Sequence, residues 1–170
     1  IRALQKEQAK EMYELRDSIK KNDVTTKLNV MDTAIPKIGV ARASLTGVGD
    51  IALLNFYQNG IVDPDLAVRK EDADLLRAAS AILDKLDPKY IKAVATEGAF
   101  FPDETRAEME RIAKGVQEAT LRVYNEQVYK PTVDQAEMSG ISESYFKFLK
   151  REPAQMTTTS ADDYISTYGR

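Results

Sequence analysis

Residues 24–52, VTTKLNVMDTAIPKIGVARASLTGVGDIA, carry the pattern that decides the fold. Val24, Leu28, Met31, Ile35, Ile38, Arg42, Leu45, Gly49 and Ala52 recur at alternating steps of four and three, the spacing of a helical-bundle seam. A strand would show a period of two, and no extended stretch of the chain does. Pro36 lies inside the seam. Proline removes one helix hydrogen bond and crowds the preceding turn, so a kink or short break is expected near Thr33–Ile35. Asn59-Gly60 closes the segment, with Gly60 expected as a left-handed cap.

The same periodicity extends in both directions. Upstream, Ile1, Leu4, Met12, Leu15 and Ile19 form a narrow stripe to about Lys21, and Asn22-Asp23 then breaks it, with Asp23 expected as the next N-cap. Downstream, Asp63-Pro64 and Asp87-Pro88 read as N-caps followed by proline in the first helical turn. A helix is expected over roughly Asp72–Leu86, and a shorter one with Tyr90, Ile91 and Val94 ending at Gly98. Thr105-Arg106-Ala107-Glu108 has the spacing of a capping box. It precedes a second long seam of Met109, Ile112, Val116, Ala119 and Val123, expected to stop at Lys130-Pro131. Ser142 is expected to open a last helix with Tyr145, Phe146, Phe148 and Leu149. The fold class is therefore all-α, an antiparallel bundle of about four main helices plus short ones. Residues 1–153 are expected to form the bundle. Residues 154–170 read as a loop-like C-terminal tail, docked or flexible.

Composition narrows the chemistry. The chain has 170 residues, neither cysteine nor histidine, and a formal net charge of −3 from 24 basic and 27 acidic residues. Without cysteine there are no disulfides, thiolate nucleophiles or iron–sulfur ligands. Without histidine, Ser-His-Asp and Cys-His catalysis, His-ligated haem and helical di-iron sites built on Glu-x-x-His are excluded. Neither a catalytic residue nor a metal ligand set can be assigned, and no cofactor is implied. The interleaved charges leave no basic stripe for nucleic acid. Apolar runs such as Ile51–Leu54 are far shorter than a membrane span. Position 1 is isoleucine, which points either to a removed targeting segment, and hence an organelle lumen or an extracytoplasmic space, or to excision from a longer chain.

Five features invite a functional reading. Phe100-Phe101-Pro102 and the cluster Tyr145, Phe146 and Phe148 put aromatic rings in a loop and near the C-terminus, where rings serve as interface hot spots or close the ends of a core. Tyr164, Ile165 and Tyr168 give the tail a small apolar set that cannot form a core alone. Arg42 lies on the seam, where a guanidinium either turns outward toward solvent or meets a carboxylate, the chain's own or a ligand's. Asp50 sits in an apolar stretch with no evident partner, either desolvated as an acid–base group or exposed. Gly39, Ala43 and Gly47 line one helix face for close helix packing or, alternatively, a slot for a flat ligand.

Two functions follow as expectations. The first is a non-catalytic subunit that docks on a larger protein assembly through Phe100, Phe101, Tyr145, Phe146, Phe148 and the Tyr164–Tyr168 tail. Small extrinsic lumenal bundles of photosynthetic membrane complexes have this general character of fold and composition. The second is an extracytoplasmic sensor bundle, like the ligand domain of a bacterial chemoreceptor, holding a small carboxylate on Arg42.

Overall fold

The structure is a computed structural model, and it describes residues 5–44, 47–62, 73–86 and 101–153. The helices among them are α1 (Lys6–Lys21), α2 (Asp23–Ala43), α3 (Gly47–Tyr57), α4 (Ala73–Lys85), α5 (Asp103–Tyr124) and α6 (Lys130–Met138). A π-helical turn, Gln58–Val62, extends α3, and a second, Asn125–Tyr129, joins α5 to α6 in one rod. Two 3-10 turns, Glu143–Tyr145 and Lys147–Leu149, end the described chain, and no strand occurs among the described residues. The protein is an all-α helical bundle.

α2 is the spine. Its seam residues Leu28, Met31, Ile35 and Ile38 are all fully buried or nearly so. α5 runs antiparallel to it, because Asp32 meets Gln117 at one end and Arg42 meets Glu110 at the other. α3 folds back along α2, bringing Gly60 against Ala34 and Gly49 against Ser44. The apolar side chains fall into two cores. One gathers α2, α3, α4 and the first half of α5 around Ile38, Leu53, Tyr57 and Met109. The other gathers α1, the start of α2, the end of α5 and α6 around Ile19, Leu28, Tyr124 and Phe146. Fully burying one such side chain is worth about 1.5–3 kcal/mol.

Several boundaries differ from the sequence reading. α2 passes through Pro36 without interruption, and the break comes at Ser44, whose backbone is extended. Met31, Ile35 and Ile38 are buried on both sides of the proline, and that packing holds the helix against the missing hydrogen bond. Gly60 is not a left-handed cap, since Gly140 alone among the described residues has positive φ. Gly60 is needed for closeness: a Cβ there would lie 2.2 Å from the Ala34 Cβ. Asn22, not Asp23, caps α2, accepting the Val24 N–H at 2.9 Å.

α5 begins at Asp103 instead of Thr105. The extended Pro102 sets its start, and Asp103 and Glu104 place negative charge at its positive end. The rod does not stop at Lys130-Pro131: the π turn, closed by the Lys130 N–H on the Asn125 carbonyl, widens the helix just before the proline, and α6 continues from it. The aromatic helix expected from Ser142 is two 3-10 turns separated by Phe146, whose φ of −113° interrupts the spiral. Asp63-Pro64, Asp87-Pro88, the short helix at 90–98 and the 154–170 tail lie outside the described residues.

Candidate docking surface

α1 turns two adjoining stripes in two directions. Met12, Leu15 and Ile19 are buried in the second core. Tyr13, Arg16 and Lys20, at i, i+3 and i+7, form the stripe about 100° away. Across from it lie the 3-10 turns, which put Phe146 wholly inside and leave Phe148 61% exposed. Arg16 ties the two elements together. Its Nε donates to the Tyr145 carbonyl at 2.9 Å, and Nη2 donates to the same oxygen. Its guanidinium also lies 4.8 Å from the centroid of the Phe148 ring. The Lys20 ammonium is 6.0 Å from that ring, and Tyr13, 65% exposed, lies 6.0 Å from the guanidinium.

Electrostatically the patch is incomplete. Two α1 carboxylates near the patch pair with other lysines, Asp17 with Lys21 at 2.7 Å and Glu14 with Lys10 at 3.7 Å, and Glu11 accepts from the Ser139 hydroxyl. Asp17 holds the exposed Lys21 ammonium above its ordinary pKa by hydrogen bond and charge. No carboxylate among the described residues forms an ion pair with Arg16 or Lys20, which meet only a backbone carbonyl and ring faces. Two exposed rings and two cations in one place make a surface able to stack on and pair with another molecule.

The residues singled out from sequence divide. Phe148 is exposed, and Tyr145 is half-buried beside it. Phe101, at 3% exposure, and Phe146 are core residues, so neither offers an exposed ring. Phe100, Tyr164, Ile165 and Tyr168 lie outside the described residues. Tyr13, Arg16 and Lys20 escaped notice, although their spacing beside the Met12–Ile19 stripe was the available signal.

Arg42 meets the chain's own Glu110, which also pairs with Lys114 at 2.9 Å. That places an internal acid where a ligand carboxylate was one alternative. Asp50 is fully buried, and its partner is Arg106 on α5, itself 3% exposed: Nε to Oδ1 is 2.8 Å. The Phe101 N–H donates to Asp50 Oδ2 at 2.7 Å, and Arg106 Nη2 donates to the Ser44 carbonyl. This cluster is internal bracing between the α2–α3 joint and the start of α5. Among the described residues no group of three or more metal-ligating side chains converges.

No helix among the described residues is long and apolar enough to cross a membrane. No protein-family model, curated protein or solved structure matches this chain.

Proposed function

We propose that this chain is a non-catalytic helical-bundle subunit that docks on a larger protein assembly, with Tyr13, Arg16, Lys20 and Phe148 as its contact patch. The observation that carries the reading is the exposed Phe148 ring held under the Arg16 guanidinium, with no carboxylate on the cation. Rigid exposed rings lose little conformational entropy when another surface covers them, and aromatic and arginine side chains dominate interface energetics. The unpaired cations make attachment sensitive to salt.

The test is the native size of the protein in a low-salt extract of its source, by sedimentation with an antibody readout. The 19.0 kDa chain should travel within a much larger particle and be released by added salt. The variant Phe148→Ser with Tyr13→Ser should keep a melting temperature close to that of the parent, because both rings are exposed. Its attachment should weaken by about thirtyfold or more, the loss expected of hot-spot rings. Sedimentation of the parent at its own mass, or unchanged attachment of the variant, overturns the proposal.

A further inference from the structure

A second surface, carried by different elements, lies along the outer side of the α2–α3 pair. Two adjoining hollows of about 420 and 460 Å³ run between the helices and meet at Lys37 and Phe56, which line both. Their apolar floor comes from Ala34, Ala41, Ala52 and Phe56, with Val30 and Val40 on the rim, 41% and 46% exposed. Charged residues make up 30% of the chain, yet Lys37 is the one charged residue lining either hollow. A surface this poor in charge departs from the rest of the molecule in the way interface cores do. α3 adds to this: its one charged residue, Asp50, points inward, and Ile51, Ala52 and Phe56 remain half-buried.

Lys37 identifies the occupant. Its ammonium lies 5.4 Å from the Phe56 ring centroid, midway along the groove, and no carboxylate among the described residues pairs with it. Lys37 is exposed in the free chain. An occupant lying along the groove over Phe56 would take that ammonium out of water and must neutralise it, because an unpaired charge removed from water is costly. A second copy packed groove to groove about a two-fold axis would bring a second Lys37 to the same place. From Thr26 to Ser44 the α2 wall rises about 27 Å, the length of an 18-residue helix. We infer that the α2–α3 groove receives an amphipathic helix from a different protein, apolar along one face with a carboxylate at its middle opposite Lys37. Recognition would use apolar anchors at i, i+3, i+4 and i+7 against Val30, Ala34, Val40 and Phe56.

The inference is independent of the Phe148 patch, and either can fail alone. Its test uses two designed 18-residue helical peptides with a leucine face, one with glutamate at the centre of that face and a twin with lysine there, titrated into the full chain. The glutamate peptide should bind about tenfold or more tighter than its twin. Lys37→Glu should reverse the preference, and Val40→Asp, a change at an exposed position, should abolish binding with the fold intact. No binding by either peptide, equal binding, or a preference that survives Lys37→Glu overturns it. So does a native dimer that Val40→Asp dissociates, which would assign the groove to a second copy. Binding that appears only when Tyr164, Ile165 and Tyr168 are all changed to serine would assign it to the chain's own residues, and likewise overturns the inference.

Discussion

At the scale of single residues, the Asp50–Arg106 pair has the sharpest consequences. Two opposite charges are removed from water together, and the pair is supplemented by the Phe101 N–H and the Ser44 carbonyl. Such a pair adds little over a well-packed apolar substitute, but removing one member leaves a buried charge alone. Asp50→Ala is therefore expected to cost about 3–5 kcal/mol in urea unfolding, while Asp50→Leu combined with Arg106→Met recovers most of that loss. A double variant as unstable as the single one would mean that the hydrogen bonds to Phe101 and Ser44, and not charge balance, hold the site. Sequence showed half of this arrangement. Asp50 stood out because its neighbours are apolar, but Arg106 lies 56 positions later and looked like the interior of a capping box. Pairing across that separation depends on tertiary contact between α3 and α5, which no local spacing records. Arg42 was partly legible: its place on the seam left it either turning toward solvent or meeting a carboxylate, and in the structure its side chain stays 35% exposed while pairing with Glu110.

At the scale of elements, α2 and α3 approach more closely than helices with ordinary side chains could. Gly60→Ala would put a methyl group 2.2 Å from that of Ala34, far inside van der Waals contact. The expected cost is about 1–3 kcal/mol. Adding Ala34→Gly removes the opposing methyl, so the two changes should couple: the double variant is more stable than the sum of the single effects predicts. Additive losses in a double-mutant cycle by urea unfolding would show that α3 shifts away instead. The long apolar seams of α2 and α5 were legible because burial selects the same face over many turns. Their ends were not. Pro36 signals a break that the flanking core residues override, whereas Ser44 carries no strong breaking signal and ends α2 because α3 must turn back there. The 3-10 turns around Phe146 escaped for a similar reason, since four apolar residues in five fit one short helix as well as two tight turns.

At the scale of the whole molecule, the two cores share one spine, with α2 and the α5–α6 rod running through both. Each core encloses tyrosine. Tyr57 in the first donates to the Ala79 carbonyl at 3.2 Å, and burial pushes its pKa well above the ordinary value near 10. Tyr124 in the second donates to the Leu149 carbonyl and is raised by burial, while Tyr129 is raised by burial and by the nearby Glu143. Above pH 10 the unfolded chain releases these phenolic protons while the folded chain retains them. The unfolded state then binds fewer protons, so stability falls as pH rises through that range and is unaffected by these groups at neutrality. The raised Lys21 and Lys130, each held by an aspartate one turn away, lose their folded-state advantage in the same direction, so the overall alkaline decline cannot by itself be assigned to tyrosine. Tyr57→Phe separates the two contributions. At pH 7 the variant should be about 1 kcal/mol less stable because the hydrogen bond to Ala79 is gone. Above pH 10 it should lose stability less steeply than the parent, and the gap between them should narrow. Circular dichroism in urea at stepped pH reads both, and parallel curves would show that Tyr57 reaches solvent and ionises in the folded chain.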